Sequence, residues 1–385
     1  MFLKNLIGIG KKSDLKVSIV GGSNSVMRRG YTKYLKNDLT KVINQSISID
    51  YYALGGVPNI YSVIQQERHD IAVSSDLIFF EYCANDRYAM DDNQYDLDLS
   101  AKSLEGFVRK VRKSNPRCII VLLLFGTNLP KFYASSCSFG ELYKLIGKEY
   151  NLPVIDLTEV IIRDRGLDYL ESLFNQKDHA HYTRPHGVQI VSQSIIQELE
   201  TWGILQLLKS KKKTLQITNR VPIDPDNFED LKYFDRFESN NYFTSEPQVS
   251  VYQNTVFREK NFQILPGNSL QFLLKGRLMV IVIKSDDRDG FIKIKFDDQS
   301  LVTSTYNSWV HKIKPQNVIN LMALPMHKFE PSADFAPVSI SICSEYPQEF
   351  ELGYNKIVPL KDNPEKWKLS IIGIAYLGEI KPINH

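Results

Sequence analysis

The hydrophobic periodicity of the chain changes once, and this change constrains the fold more than any other feature. From residue 15 to about residue 208, short apolar runs alternate with segments that have the period of an amphipathic helix. Farther along, the period becomes two, as in Ile292-Lys293-Ile294-Lys295-Phe296. The first pattern is typical of a parallel sheet covered by helices, and the second of antiparallel strands. Because a domain takes about 150 residues, the 385-residue chain is predicted to contain more than one domain.

The first domain, residues 1–208, is predicted to be a three-layer α/β/α structure around a parallel sheet. An amphipathic helix is expected over 97–114, ending before Asn115-Pro116 because a residue that precedes proline disfavours the helical conformation. A last helix should follow Gly187, with Val188, Val191, Ile195, Leu199 and Trp202 on its apolar stripe. Apolar runs predict five strands, at 16–21, 47–54, 76–82, 117–125 and 153–157.

A linker over 209–230 and a second domain over 231–385 are expected to follow. The linker begins with Lys209, Lys211, Lys212 and Lys213, and we favour a solvated segment over a polyanion contact. The second domain is predicted to be an antiparallel β-sandwich or jelly roll, with further strands at 269–274, 337–343 and 368–376. The pair Asp289-Gly290 predicts a hairpin that joins the run 278–283 to the strand beginning at Ile292.

Composition excludes several classes of protein. A formal net charge of +3 is too small to indicate a nucleic-acid partner. The longest apolar run, from Ile119 to Phe125, is far shorter than the roughly 20 residues that a membrane-spanning helix needs. The N-terminal segment lacks the pattern of a secretory signal, and the four cysteines (Cys83, Cys118, Cys137 and Cys343) lack metal or disulfide spacing. A cytoplasmic location is therefore expected.

Chemically useful side chains follow successive strands of the predicted sheet. Open α/β sheets bind ligands at the carboxyl ends of their strands, so these residues should lie close together. In chain order they supply a hydroxyl after a glycine turn, a second glycine turn, an amide, and a carboxylate three residues before an imidazole. The residues concerned are Ser23, Gly56, Asn85, Asp178 and His181. This set contains a nucleophile, oxyanion donors, a base and an orienting acid.

The series resembles the four sequence blocks of the SGNH/GDSL hydrolase superfamily: Gly-Asp-Ser, a glycine, Gly-x-Asn-Asp and Asp-x-x-His. The similarity covers about residues 14–205. It implies that Ser23 is the nucleophile and that its N–H forms the oxyanion hole with the N–H of Gly56 and the side chain of Asn85. It also implies that His181 is the general base and that Asp178 orients it.

The chain departs from the family pattern at two positions. Gly22 stands where the first block usually has aspartate, and Cys83 stands where the third block usually has glycine. Neither change removes a reacting group. Gly55 is an alternative donor to Gly56 because the two are adjacent, and Ser25 is a weaker alternative to Ser23 as nucleophile.

Several other clusters permit alternative interpretations. Asp178, His179, His181 and His186 have a spacing that suits a metal ion, but the catalytic set claims two of them, and we expect no metal. Arg184 is either a solvated loop charge, which we favour, or a contact to an anionic substrate. A calcium site at Asp286, Asp287 and Asp289 is less favoured than ordinary turn chemistry. Tyr306, Trp309 and Trp367 could form either a sugar-stacking platform or part of a core.

The resemblance implies acyl-ester chemistry on carbohydrate, through an acyl-enzyme on Ser23. Family members with an added β-sandwich resemble enzymes that add or remove acetyl groups on polysaccharides. With a cytoplasmic location, acetyl-CoA would be available as a donor substrate, so we expect O-acetyl transfer to a capsular or surface polysaccharide, without a cofactor. The alternatives are a carbohydrate acetylesterase or GDSL esterase and, from another class, an inactive glycan-binding module. The oligomeric state stays open.

Overall fold

The structure is a computed structural model and describes residues 14–91, 95–128, 138–175, 178–210, 220–237, 240–253, 258–286, 288–305, 320–326, 328–351 and 363–383. Predictions that concern Lys211 to Lys213, Cys137, Asp287, Tyr306 and Trp309 lie outside the described residues.

A five-stranded parallel sheet forms the centre of the N-terminal domain. Its strands, numbered along the chain, are β1 (Leu15–Gly21), β2 (Ile47–Tyr51), β3 (Leu77–Glu81), β4 (Ile119–Leu124) and β5 (Val154–Asp156). Their order across the sheet is β2-β1-β3-β4-β5. The side chains of β3 and β4 are almost entirely buried, as expected for a sheet covered on both faces. The five predicted strands are therefore confirmed.

Ten α-helices accompany this sheet within the described residues. They are α1 (Ser23–Val26), α2 (Tyr31–Ile43), α3 (Ile60–His69), α4 (Cys83–Asp91), α5 (Leu97–Ser114), α6 (Ser138–Glu149), α7 (Leu157–Arg165), α8 (Leu167–Ser172), α9 (His186–Thr201) and α10 (Ile204–Ser210). The predicted bounds of α5 are confirmed, and the Asp96 side chain caps it by accepting from the N–H of Leu99. A two-stranded ladder, β6 (Phe174–Asn175) with β7 (Asp178–Tyr182), precedes α9.

The predicted place of Trp202 on the apolar stripe of α9 is wrong. Val188, Val191, Ile195 and Leu199 are buried, but Trp202 is 48% exposed. The helix ends at Thr201, one residue earlier, and Gly203 turns the chain with a φ of 69°. Trp202 therefore lies at the turn between α9 and α10 rather than over the sheet.

The C-terminal domain is an antiparallel β structure. The described strands are β8 (Lys232–Phe234), β9 (Gln248–Gln253), β10 (Arg258–Ile264), β11 (Ser269–Ser285), β12 (Phe291–Phe296), β13 (Gln299–Ser304), β14 (Asn320–Pro325), β15 (Ser332–Ile342) and β16 (Leu369–Lys381). They form one hydrogen-bonded sheet in the order β13-β12-β15-β11-β16-β10-β9, with β14 on β11 and β8 on β16. The long strands β11 and β16 each change partners along their length, which connects the two ends of the domain.

The predicted hairpin at Asp289-Gly290 is wrong. Strand β12 pairs with β13 and β15, whereas both edges of β11 are occupied by β14, β15 and β16. The buried Asp289 carboxylate accepts from Ser285 Oγ and from the N–H of Asp286. Gly290 lies so close to Trp367 that a Cβ atom would be 2.5 Å from the indole ring. These contacts hold a wide crossover in place of a two-strand turn.

The structure bears on two further alternatives for this domain, the sugar-stacking role of Trp367 and the calcium site at Asp286. Trp367 is only 3% exposed and packs in the core with Phe291, so it belongs to no exposed sugar platform. Asp286 forms ion pairs with Lys368 at 2.7 Å and Lys284 at 3.5 Å. Its negative charge is therefore balanced by two lysines and does not call for a calcium ion. Hydrogen bonding to Lys368 lowers the pKa of Asp286 although burial opposes it.

The two domains share one hydrophobic core. Val280, Val282, Ile372 and Ala375 of the β domain belong to the same buried cluster as the apolar residues of α3 and α5. Beside this cluster, Arg68 of α3 forms a two-pronged pair with Glu259 of β10, at 2.9 and 3.0 Å. The β domain is therefore packed directly on one helical layer of the α/β domain.

The described part of the predicted linker, residues 220–230, is packed rather than solvated. The Glu105 carboxylate on α5 accepts from the N–H groups of Ile223 and Asp224 at 2.6 and 2.9 Å. Phe228 is buried against Gly106, where a Cβ atom would be 2.6 Å from the Phe228 backbone. Within the described residues, no helix is both long and apolar enough to cross a membrane.

Candidate active site

Ser23 lies at a sharp turn between β1 and α1. Gly22 is extended, with φ −92° and ψ −150°, and its N–H donates to the Glu81 carbonyl at the end of β3. A Cβ atom at Gly22 would be 2.2 Å from Asn85 Oδ1, so glycine is needed here for space rather than for a special backbone angle. A larger residue at position 22 would therefore have to displace the Asn85 side chain as this chain holds it.

The predicted hydroxyl, imidazole and carboxylate are joined by hydrogen bonds. Ser23 Oγ lies 2.8 Å from His181 Nε2, and His181 Nδ1 lies 2.9 and 2.8 Å from the two oxygens of Asp178. With Nδ1 donating to the carboxylate, Nε2 is free to accept the serine proton. The geometry therefore fits activation of Ser23 as a nucleophile.

Strand β7 carries both Asp178 and His181. Two hydrogen bonds hold it in place, one from α1 and one from the segment after β4. The Asn24 side chain donates to the carbonyl of Ala180 at 3.3 Å, and the N–H of Asn128 after β4 donates to the carbonyl of His179 at 2.8 Å. The sequence placed the acid and base in a segment after the sheet but did not predict this strand. Its anchoring holds the imidazole in register with Ser23.

The second and third blocks also reach the nucleophile. Gly55 lies against Ser23, because a Cβ atom there would be 3.3 Å from the Ser23 Cβ, and Gly56 turns the chain with a φ of 76°. Asn85, in the first turn of α4, donates to the carbonyl of Val57 at 3.0 Å. One amide hydrogen of Asn85 thus orients the side chain and the second is left for a ligand. The choice between Gly55 and Gly56 as the backbone donor stays open.

Ser25 is occupied elsewhere. It is only 1% exposed, and its hydroxyl donates to Glu81 Oε2 at 2.9 Å while lying 3.1 Å from the Tyr31 hydroxyl. It therefore faces the interior beneath the turn, away from His181. This placement favours Ser23 over Ser25 as the reacting hydroxyl.

Two buried carboxyl groups support the turns, and sequence reasoning assigned no role to either. Burial raises the pKa of Glu81 to about 8, although hydrogen bonds from Ser25 and Gly22 oppose the shift. Burial likewise raises the pKa of Asp86 to about 7, against hydrogen bonds from Tyr143, Asn59 and Ser100. The only sequence signals were their positions, Glu81 at the end of an apolar strand and Asp86 directly after Asn85.

The metal hypothesis finds no support in the described part of the chain, where no group of three His, Cys, Asp or Glu side chains could hold an ion. His179 and His186 are exposed, and His186 Nε2 lies 3.4 Å from the Tyr169 hydroxyl. Arg184 is also exposed, and it donates to the backbone carbonyl of Arg28 at 3.0 Å.

Solved structures with similar folds match this chain, and two of them span both domains. A two-domain esterase (CEX) active on acetylated mannans, co-crystallised with mannopentaose, matches with a TM-score of 0.61 and 13% identity, over 97% of this chain and 92% of that chain. A second structure of this esterase gives a TM-score of 0.62 and 14% identity, over 96% and 92%. Axe2, an acetylxylan esterase from Geobacillus stearothermophilus, matches 49% of this chain and 94% of that chain, with 17% identity and a TM-score of 0.41.

No protein-family model and no curated protein sequence matches the chain. The resemblance read from the four blocks is nevertheless confirmed at the level of fold. The fold, a parallel α/β domain with an added C-terminal β domain, is similar to that of the two-domain esterase over nearly the whole length of the chain.

Proposed function

We propose that the protein is a serine esterase that removes acetyl groups from carbohydrate. The observation that carries the proposal is the bonded series Ser23–His181–Asp178, beside Asn85 and the glycine turn. The same series argues against the hypothesis of an inactive glycan-binding module.

The reaction follows from this geometry. His181 Nε2 takes the proton of Ser23 as Oγ attacks the acetyl carbonyl, and the Asn85 amide and turn N–H groups stabilise the oxyanion. The carbohydrate hydroxyl leaves with the proton from His181, and an acetyl group remains on Ser23. Water, deprotonated by His181, then attacks the acetyl-enzyme and releases acetate.

Hydrolysis is favoured here over acetyl transfer from acetyl-CoA. The esterase whose fold resembles both domains of this chain is described as active on acetylated mannans. Transfer remains a prediction from the sequence, as do the cytoplasmic location and the absence of a cofactor. The acceptor, water or a sugar hydroxyl, is chosen only after the acetyl group is on Ser23, so one site serves either outcome.

The test measures acetate release from 4-nitrophenyl acetate, acetylated mannan and acetylated xylan, with Ser23→Ala as the control. We expect the natural chain to deacetylate the small ester and at least one polysaccharide, and Ser23→Ala to do neither. CoA release from acetyl-CoA, stimulated by a non-acetylated glycan, would favour the transferase. No Ser23-dependent turnover of any of these substrates would overturn the enzyme proposal.

A further inference from the structure

We propose that Arg28, Arg29 and Arg184 form an anion-binding subsite beside Ser23, and that the carbohydrate substrate carries a carboxylate or phosphate group. The inference rests on the proposed function, because it names the class of substrate that the same site would receive. The sequence analysis favoured a solvated loop charge for Arg184 and assigned no role to Arg28 or Arg29.

The subsite adjoins the reacting groups through a line of contacts between two segments. The segment 23–30 and the segment 178–186 meet at Ser23 Oγ and His181 Nε2, then at Asn24 Nδ2 and the Ala180 carbonyl. The third contact in the line joins Arg184 Nη1 to the Arg28 carbonyl. Arg28 is two residues beyond the end of α1, the helix that begins at Ser23, and Arg184 is three residues beyond His181. The three arginines therefore lie on the two segments that carry the reacting hydroxyl and imidazole.

All three arginines are exposed, and none forms an ion pair with any residue that the structure describes. Arg68 and Arg163, by contrast, are paired with Glu259 and Glu198. The carboxylate nearest along the chain, Asp178, is engaged with His181. The whole chain carries a formal net charge of only +3. Three positive charges without an ion pair on these two segments therefore form a local region of positive charge.

Arg28 and Arg29 lie in a turn, and the backbone of Arg29 is unusual for its residue type. Five non-glycine residues in the described ranges have a positive φ, and four of them are asparagine or aspartate: Asn44, Asp70, Asn151 and Asp297. These side chains tolerate the left-handed region, whereas arginine does so poorly. Arg29, with a φ of 60°, is the exception. The N–H of Gly30 donates to the Met27 carbonyl at 2.8 Å, so a closed turn holds Arg28 and Arg29 at an exposed corner after α1.

Arginine also has the chemistry for this ligand. Its planar guanidinium presents five N–H donors, and the fork matches the spacing of carboxylate and phosphate oxygens. The one described hydrogen bond of the Arg184 side chain uses Nη1, and it fixes the direction of the guanidinium while leaving other donors for a ligand. The arrangement is therefore partly ordered before an anion binds.

The experiment measures ligand affinity by calorimetry on the full-length Ser23→Ala protein, so that no turnover interferes. The three probes are trigalacturonate for a carboxylate, mannose 6-phosphate for a phosphate, and mannotriose as the neutral control. We expect at least one anionic probe to bind about tenfold more tightly than mannotriose, and its affinity to fall as salt is added. The probe that binds identifies which oxyanion the subsite prefers.

Substitutions then locate the binding. Arg29→Asn removes the charge while keeping a residue that tolerates the left-handed conformation, and Arg184→Gln removes the second guanidinium. Each should weaken the anionic probe about threefold, the value of an exposed charge contact, and both together about tenfold. Arg29→Lys should retain most of the affinity. Arg117→Gln is the matched control and should have no effect. Arg117 is exposed and precedes β4, at the amino ends of the strands and so away from Ser23.

Equal affinity for the anionic and neutral probes would overturn the proposal, as would unchanged affinity in the Arg29→Asn/Arg184→Gln protein. Thermal unfolding of each variant excludes a loss of folding as the cause. Failure of the esterase proposal is recognised separately, because it is read from 4-nitrophenyl acetate turnover by the natural chain and not from binding.

Discussion

Ser23 and Ser25 are two residues apart on the same short helix, but their hydroxyls serve opposite sides of it. Ser23 Oγ meets His181 Nε2 at 2.8 Å, at a partly exposed position. Ser25 Oγ donates inward to Glu81 Oε2 at 2.9 Å. Residues at this spacing do not share a helix face, so one turn of chain provides both a reacting group and its support.

We expect Ser23→Ala to lower kcat on 4-nitrophenyl acetate by at least about 10⁴-fold, because the nucleophile of the series is lost. The melting temperature should change little, since the hydroxyl is at the surface. Ser25→Ala, the matched control, should keep most of the activity but lose about 1 kcal/mol of stability with its buried hydrogen bond. A reversal of these two phenotypes would exchange the roles assigned to the two serines.

Gly22 and Asn85 offer a test of the oxyanion site. A methyl group at Gly22 must displace the Asn85 side chain, so Gly22→Ala should reduce kcat by about 100-fold, close to the effect of losing one oxyanion donor. Asn85→Ala should cost about 100- to 1000-fold. If both act through one amide, the double variant is no worse than Asn85→Ala alone. Multiplicative losses in the double variant would contradict this interpretation.

Local signals in the sequence were sufficient for the α/β domain and for bringing the residues of the candidate site together. Apolar runs marked every strand of the parallel sheet, and apolar spacing together with Pro116 marked α5. Because parallel strands end at one edge, residues that follow them had to converge, and Ser23, Asn85 and His181 lie together accordingly.

Features that depend on partners distant in sequence were not predicted. A period of two identifies β12 as a strand but cannot choose its neighbour, and the chosen neighbour is β15 rather than β11. The presence of aromatic residues in the sequence does not show whether they pack in a core or form a sugar-binding platform. Trp367 is buried in the core. The shared core of the two domains was not predicted either. Residues 209–230 have the composition of a solvated linker, which indicated two separate domains, although the Glu105 side chain binds part of this segment.

Glu81 predicts a pH dependence of stability. Its pKa rises from an ordinary 4.5 to about 8 in the folded chain, chiefly through burial. Since a raised pKa favours the protonated native state, its contribution is complete below about pH 4.5 and is lost as pH rises through about 8. Glu81→Gln cannot ionise and should escape this loss. Its melting temperature relative to the natural chain should therefore increase steadily from pH 5 to pH 8.

The measurement is thermal unfolding of both proteins at half-unit steps of pH, with Glu149→Gln at an exposed position of α6 as the matched control. A melting-temperature difference that is constant with pH would mean that Glu81 does not change protonation in this range. A difference that decreases with pH would indicate that the carboxylate is stabilised where it lies.

The shared core leads to the last prediction, which concerns how the two domains unfold. Residues of α3 and α5 are buried together with Val280, Val282 and Ile372, so neither domain has a complete core alone. A chain ending at residue 208 should therefore be unstable, and the full chain should show one calorimetric transition. Glu259→Gln leaves Arg68 with an amide and with Asp235 at 3.3 Å, so the loss of this mostly buried pair should cost about 2 kcal/mol. Glu351→Gln, which breaks the exposed pair with Lys328, should cost less than about 1 kcal/mol. Two separate transitions, with only the later-sequence domain affected by Glu259→Gln, would mean that the interface is packed but not required for folding.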